Sequence, residues 1–105
     1  MKISIDFDDT YTKDPKLWDM FAITAMAREH DVYCVSFRYE TQMDNVKESI
    51  GKIIGPNKCI GTNHKPKDEF MKQNHNICID VWIDDLPELI KDSILILGTS
   101  MPYTP

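Results

Sequence analysis

Short apolar runs alternate along the chain with longer stretches whose apolar residues recur at helical spacing. The apolar runs predict strands at residues 2–5, 32–35, 58–60, 77–83 and 94–97. The stretches between them predict helices at residues 15–30, 41–54, 66–73 and 86–90. The elements therefore follow the order β-α-β-α-β-α-β-α-β.

This order predicts an α/β fold with a parallel sheet, because strands that are joined by helices run in the same direction. The run at residues 94–97 is apolar at every position, which is typical of a strand covered on both faces. We expect a three-layer α/β/α sandwich with a five-stranded parallel sheet. A chain of 105 residues is expected to form a single domain over residues 1–105.

Helical spacing also predicts which side chains face the core. The expected core face of the first helix consists of Leu17, Phe21, Thr24 and Ala25. That of the second helix consists of Met43, Val46, Ile50 and Ile53. Further residues expected in the core are the methionines Met20, Met26 and Met71 and the cysteines Cys34, Cys59 and Cys78.

Composition and charge indicate which binding partners and which cellular compartment to expect for this protein. The formal net charge of −5 argues against broad electrostatic attraction to nucleic acid or to an anionic membrane. No apolar run is long enough to span a bilayer. Three cysteines, with no Cys-x-x-Cys pair and no secretion signal, favour reduced thiols in a cytoplasmic protein.

Polar side chains follow three of the predicted strands. They are Asp6 and Asp8 after the first strand, Ser36 and Arg38 after the second, and Asp84 and Asp85 after the fourth. The carboxyl ends of parallel strands meet at one edge of a sheet, where ligands bind. Carboxylates gathered there repel each other, by about 4 kcal/mol for two charges 4 Å apart in partly buried surroundings. Oxygen ligands without a neighbouring His or Cys predict Mg²⁺ as the compensating ion, and not zinc.

Four stretches then show a family resemblance. Residues Ile3–Thr10, with their Asp-x-Asp-x-Thr pattern, resemble the first motif of the haloacid dehalogenase (HAD) superfamily of phosphohydrolases. Ser36 at a strand end resembles the second motif, a lysine at a helix start resembles the third, and the acidic pair Asp84-Asp85 resembles the fourth. All four occur in the family's order. The resemblance implies a Rossmann-like HAD fold, here without a cap domain, and phosphatase activity.

A looser resemblance concerns the phosphatase half of polynucleotide kinase-phosphatases. The stretch Ser36–Glu40 is similar to their Ser-Gly-Arg-Glu segment. Lys67-Asp68, followed by Phe70-Met71, is similar to their Lys-Asp helix. Few residues carry this likeness.

Position nine departs from the commonest HAD pattern, because many members have Gly where this chain has Asp9.

The HAD resemblance implies a role for each acidic residue. Asp6 would be the nucleophile and form an aspartyl-phosphate that water then cleaves. Asp8 would give a proton to the leaving oxygen and later take one from the attacking water, and its backbone carbonyl would bind the metal. Asp84 and Asp85 would complete the Mg²⁺ site with Asp6. For this acidic pair, the competing interpretation is a cap on the helix that starts at Leu86.

The remaining candidates are placed around the phosphate. Ser36 would hydrogen-bond a phosphoryl oxygen, and Thr10 would brace the loop on the phosphate side. The motif lysine is either Lys65 or Lys67, with a slight preference for Lys67. Arg38 would either grip the phosphate or pair with Glu40 or a helix.

Neither gap between the motifs has room for a cap domain. Only Tyr11–Asp14 separates the first motif from the first helix, and one helix and one strand fill the chain between Ser36 and Lys67. We expect an open site, which suits a nucleotide, a nucleic-acid end or another bulky phosphomonoester.

His64 is expected to be a surface loop residue. Small capless members are often oligomers, so a homo-oligomer is one expectation.

Two alternatives to a phosphatase remain at this point. The first is a catalytically idle HAD-like protein that serves as a binding or regulatory module. The second is a receiver-like domain that accepts phosphate. Receivers take phosphate on the third strand, however, and the third strand of this chain ends in Gly61-Thr62, without an acid.

Overall fold

A computed structural model describes residues 1–91 and shows four strands with helices between them. The strands are β1 (Lys2–Ile5), β2 (Asp31–Ser36), β3 (Cys59–Gly61) and β4 (Val81–Ile83). The helices are α1 (Pro15–Ala27), α2 (Asp44–Lys47), α3 (Gly51–Ile54) and α4 (Lys67–His75), with 3₁₀ turns at Tyr11–Lys13, Glu40–Gln42, Pro56–Lys58 and Pro87–Leu89. The fifth predicted strand, at residues 94–97, lies outside the described residues. Within residues 1–91, no helix has the length and apolar character that a membrane span requires.

All strand pairs in this sheet are parallel, as predicted, and the strand order is β3-β2-β1-β4. The chain thus adds β2 and β3 on one side of β1 and then returns to add β4 on the other side. Such a reversal opens a crevice at the carboxyl ends of the two strands that flank it. Here these strands are β1 and β4, and their register pairs Ile5 with Ile83. The residues that follow them, Asp6 and Asp84, therefore begin the crevice side by side.

Apolar side chains cover both faces of the sheet. In β2, Val32 and Cys34 belong to one buried cluster, which includes residues of α1, α2 and α3. Tyr33 and Val35 point the other way and belong to a second cluster with Phe70 of α4. Alternation along a strand separates these two sets. The helices therefore lie on both sides of a parallel sheet, as expected.

The buried face of α1 differs from the prediction. Of the predicted face, Ala25 is buried and Phe21 packs against the core, whereas Leu17 and Thr24 are exposed. Met20, also expected in the core, is 67% exposed. The expected face was thus partly displaced around the helix. Because α1 carries apolar residues around most of its circumference, spacing did not determine which side would be buried.

The predicted helix over residues 41–54 is divided into α2 and α3. Its predicted core residues Met43, Val46 and Ile50 are fully buried, so the face was predicted correctly. The break lies around Ser49, whose hydroxyl donates hydrogen bonds to the carbonyls of Asn45 (2.7 Å) and Val46 (3.2 Å). Such bonds compete with helical ones, and the glycine at position 51 further weakens the helix.

The fourth strand is shorter than predicted and comprises only Val81–Ile83. Asn76 ends α4 with a left-handed backbone (φ 57°), and the N–H of Ile77 donates to the Met71 carbonyl (3.0 Å). This amide is used by the helix end and cannot join the sheet. Cys78 is exposed, so its predicted core position was wrong, whereas Cys34 and Cys59 are buried; all three thiols are free.

The loops after β2 and β3 approach each other closely at Gly61. A β-carbon at this position would lie 2.9 Å from the Arg38 carbonyl oxygen and 3.2 Å from the Glu40 α-carbon. The N–H of Gly61 also donates to the Glu40 carboxylate at 3.2 Å. Only glycine fits this contact without moving the backbone, so it determines how the two loops meet at the edge of the sheet.

We expect Gly61→Ala to lower the free energy of unfolding by about 1–3 kcal/mol, because the added methyl group has to displace backbone atoms. Urea unfolding followed by circular dichroism measures the effect. Gly51→Ala is the matched control. Its nearest neighbour would be the Cys59 side chain at 3.3 Å, and alanine favours a helix over glycine, so we expect a change within about 1 kcal/mol. Equal losses in the two variants would contradict this account.

Candidate functional site

Three carboxylates converge where β1 and β4 end. One oxygen from each of Asp6, Asp84 and Asp85 lies within 4.8 Å of the others. We call these three residues the acid cluster. Asp6 is buried at the end of β1, and the hydrogen bond from its N–H to the Ile83 carbonyl (2.9 Å) ties this end to β4. Asp85 is exposed, so the cluster opens to solvent on one side.

Lys67 provides a buried positive charge for the acid cluster. Its ammonium Nζ donates to Asp6 Oδ1 at 2.8 Å and to Asp84 Oδ2 at 2.5 Å, and its side chain is only 1% exposed. Lys67 is the first residue of α4, and the N–H of Asp68 donates to the Ile90 carbonyl (2.8 Å), which anchors this helix start. Lys65 is exposed. The structure thus brings Lys67 to the acid cluster, and not Lys65.

Burial and neighbouring charges shift the ionisation of this group of residues. Burial raises the pKa of Asp6 to about 7; Lys67 opposes this shift, whereas Asp85 and Asp84 add to it. Burial by itself would lower the pKa of Lys67, but Asp6 and Asp84 outweigh it and the pKa is raised. One ammonium therefore faces three carboxylates, which leaves two negative charges when all are ionised. These three carboxylates could together hold a metal ion.

Asp84 has a second partner besides Lys67. Its Oδ1 accepts a hydrogen bond from the N–H of Leu86 at 2.9 Å, which is a local turn contact. The capping interpretation of the acidic pair was wrong, because only a 3₁₀ turn forms at Pro87–Leu89 and it has no side-chain cap. Asp85 instead accepts a long hydrogen bond, 3.5 Å, from the hydroxyl of Thr10. Thr10 thus links the loop after β1 to the acid cluster, which is a bracing contact.

The loop after β1 turns Phe7 into the core. The ring of Phe7 is buried and stacks on Tyr11 with centroids 5.5 Å apart. The N–H of Tyr11 donates to the Asp6 carbonyl (3.1 Å), which closes the loop. Asp9 has a left-handed backbone with φ of 61°. Asp tolerates this region better than most residues, so Asp9 suits a position where many HAD members have Gly.

Asp8 pairs with Arg38 and not with the acid cluster. The Arg38 guanidinium lies 2.9 Å from Asp8 Oδ1 and 3.3 Å from Oδ2, and the Asp8 side chain is 61% exposed. Its neighbour is therefore a cation, where the sequence had predicted carboxylates. Arg38 also donates to the Gln42 carbonyl (3.0 Å) and to Asn45 Oδ1 (2.8 Å).

The predicted pairing of Arg38 with Glu40 was wrong, whereas the predicted contact with a helix is confirmed by its hydrogen bond to Asn45 of α2. Glu40 instead lies 2.9 Å from the ammonium of Lys47. Sequence spacing could not reveal the Asp8 pair, because the two residues are 30 positions apart on different loops.

Ser36 ends β2 at the same edge of the sheet and is 1% exposed. Its carbonyl accepts a hydrogen bond from the N–H of Thr62 (3.0 Å). The Ser36 hydroxyl is therefore buried at the edge of the sheet where the acid cluster lies.

Two members of the acid cluster, Asp84 and Asp85, line a cleft of about 350 Å³. Lys13 and Trp18 also line this cleft, whereas Asp6 is not among its lining residues. The segment between the first motif and α1 forms one 3₁₀ turn, Tyr11–Lys13.

Comparisons of this chain with protein-family models, with curated proteins and with solved structures found no match. The HAD resemblance therefore rests on the motif residues themselves and on where they lie in the fold.

The raised pKa of Asp6 predicts that the free energy of unfolding of the metal-free protein depends on pH. Between a value of about 3.9 in the unfolded chain and about 7 in the folded chain, the folded state binds more protons at Asp6. The free energy of unfolding contributed by this group should therefore fall as the pH rises, and level off above pH 7. Comparing urea unfolding of the wild type and Asp6→Asn from pH 4.5 to 8, in metal-free buffer, isolates this contribution.

The exposed Asp44 provides the matched control for this experiment. Asp44→Asn should differ from the wild type by a nearly constant amount over the same pH range. A difference between the wild type and Asp6→Asn that also stays constant with pH would show that Asp6 titrates normally.

Lys67 should matter for stability far more than Lys65. Lys67→Met keeps the apolar stem but leaves Asp6 and Asp84 without their buried cation, so we expect a loss of about 3–5 kcal/mol at pH 8. Lys65→Met changes an exposed side chain and should stay within about 0.5 kcal/mol of the wild type. Urea unfolding without divalent metal measures both. The account fails if the two variants are equally stable.

Proposed function

We propose that this protein is a Mg²⁺-dependent phosphatase in which Asp6 attacks the phosphorus of a phosphomonoester. The observation that carries the proposal is the acid cluster with the buried ammonium of Lys67 between Asp6 and Asp84. It lies at the crevice between β1 and β4, where open parallel sheets bind their ligands. The order of the four HAD-like motifs along the chain supports the same activity.

The metal would be held by carboxylate oxygens of Asp6, Asp84 and Asp85, with the backbone carbonyl of Asp8 as the further ligand that the HAD resemblance implies. When bound, Mg²⁺ supplies positive charge that offsets the charge of the phosphoryl group. Positive charge near Asp6 also favours its ionised form, which is the form that can attack. Lys67 contributes in the same direction and fixes the orientation of the carboxylate through Oδ1.

In the first step, a carboxylate oxygen of Asp6 forms a bond to phosphorus while the bond to the leaving oxygen breaks, and Asp8 gives that oxygen a proton. In the second step, Asp8 takes a proton from water, and this water cleaves the aspartyl-phosphate to phosphate and free Asp6. Asp8 suits contact with an incoming substrate because its carboxylate is exposed. Arg38 holds this carboxylate in place through two-pronged pairing.

Ser36 would bind one phosphoryl oxygen. Its side chain is buried at the end of β2, at the same edge of the sheet as the acid cluster. Removing one such donor from a phosphate or oxyanion site typically lowers turnover by about 10²–10³-fold. In this proposal Thr10 acts indirectly, by bracing Asp85.

The direct test is hydrolysis of p-nitrophenyl phosphate by the wild type and by Asp6→Asn. We expect turnover that requires a divalent metal and that EDTA abolishes. Asp6→Asn should lower kcat by at least about 10³-fold, because the amide cannot act as the nucleophile. Asp44→Asn, which changes an exposed carboxylate outside the site, should keep the activity of the wild type.

Two outcomes would reject the proposal in different ways. No turnover by the wild type with Mg²⁺, Mn²⁺ or Co²⁺ would favour the idle binding or regulatory module. Equal turnover by the wild type and Asp6→Asn would remove Asp6 from the role of nucleophile. Phosphate that stays bound to the protein, without turnover, would favour the receiver-like alternative.

A further inference from the structure

Three aromatic rings form a stack on the loops beside the proposed phosphate position. The imidazole of His64 lies between the rings of Phe37 and Tyr39, with centroid distances of 5.1 and 4.4 Å and interplanar angles of 10° and 24°. We call these three residues the aromatic stack. Tyr39 is 49% exposed, His64 is exposed and Phe37 is half-buried. None of the three belongs to either apolar cluster of the core.

The loop that carries His64 is held in an unusual conformation. Asn63 and His64 both have a left-handed backbone, with φ of 57° and 64°. Asn63 is fixed by its N–H, which donates to the Arg38 carbonyl (2.8 Å), and by its side-chain oxygen, which accepts from the N–H of Glu40 (3.1 Å). Backbone of this kind persists only where the surroundings determine it, and it clusters at ligand sites.

Two rings of the aromatic stack line a second cleft, of about 180 Å³. Phe37, His64 and Pro66 lie on one side, and Glu88, Leu89 and Lys91 lie on the other. This volume is below the roughly 300–1,000 Å³ of sites for drug-sized ligands, and it suits a single planar ring system.

The second cleft adjoins the proposed active site through the chain itself. Phe37 directly follows Ser36, and Pro66 directly precedes Lys67. In each of these two pairs of neighbours, one residue lines the second cleft and the other lies at the proposed active site. A phosphate at Asp6 and a ring in the second cleft would belong to the same substrate.

We propose that the second cleft binds the base of a nucleotide whose phosphate is hydrolysed at Asp6, an inference that rests on the proposed phosphatase function. Stacked aromatic side chains bind bases of any sequence through their faces. Glu88 and Lys91 supply an acceptor and a donor for the edge of the base. The net charge of −5 disfavours recognition through a long phosphate backbone, so the base itself has to provide binding energy.

A matched pair of substrates tests this inference. Adenosine 5′-monophosphate and ribose 5-phosphate carry the same phosphate and sugar and differ in the base. We expect kcat/KM to be about tenfold to a hundredfold higher for the nucleotide, the range that one base–aromatic stack supports. Adenosine 3′-monophosphate and oligonucleotides phosphorylated at the 3′ or 5′ end show whether the nucleotide is free or a nucleic-acid end.

His64→Asn removes the central ring without adding backbone strain, because Asn tolerates a left-handed conformation. Phe37→Leu keeps an apolar side chain but removes the ring face. Each variant should reduce the ratio of the two kcat/KM values toward one. His75→Ala is the matched control, because His75 is also an exposed histidine beside a phenylalanine, Phe70 (5.7 Å), but lies at the far end of α4 from Lys67. It should leave the ratio unchanged.

A binding measurement separates this inference from the proposed function. With Asp6→Asn protein, calorimetry should show tighter binding of adenosine 5′-monophosphate than of ribose 5-phosphate, and adding His64→Asn should remove the difference. This binding result supports the base site whether or not the wild type hydrolyses a phosphomonoester. A wild type without hydrolysis would reject only the phosphatase function.

Three results would overturn the inference. The first is equal binding and equal turnover of the nucleotide and the sugar phosphate. The second is a proportional loss for both substrates in His64→Asn and Phe37→Leu, which would mean that the aromatic stack only braces the two loops. The third is a preference for a phosphotyrosine peptide over every nucleotide, lost in the same variants, which would assign the ring site to a protein substrate.

Discussion

The buried ammonium of Lys67 is the interaction on which the site depends, because it holds Asp6 and Asp84 together at the ends of two neighbouring strands. Carboxylates this close repel each other, and burial disfavours their charged forms further. A cation that is itself buried offsets both effects and determines where the two side chains point. Its single charge does not balance the acid cluster, however. The remaining negative charge and the exposed carboxylate of Asp85 are what give the arrangement its fit to a divalent ion.

Backbone hydrogen bonds anchor the two elements that carry Asp6 and Lys67. The end of β1 is tied to β4 by the hydrogen bond from Asp6 to Ile83, and the start of α4 is tied to the last described turn by the one from Asp68 to Ile90. Charged groups placed on strand ends and on a helix start keep their geometry better than groups on long loops. The acid cluster is therefore arranged before any ligand arrives, which lowers the free-energy cost of binding a ligand there.

The loops after β2 and β3 act as a second unit beside the acid cluster, and Arg38 joins the two. Its guanidinium holds Asp8, whereas its carbonyl accepts the N–H of Asn63 in the strained loop. The close contact at Gly61 keeps these loops together. The acid cluster and the aromatic stack thus lie at the same edge of the sheet.

The sequence by itself determined the order of elements as far as the fourth strand, the parallel sheet and the acidic residues that meet at its edge. These depend on local periodicity and on the rule that parallel strands end on the same side. Only the tertiary structure decided which face of α1 is buried, which lysine reaches Asp6 and which partner Asp8 has. The reason is physical: Lys67 and Asp6 are 61 positions apart and Arg38 and Asp8 are 30 apart, so their contacts arise from how the elements pack and leave no trace in local spacing.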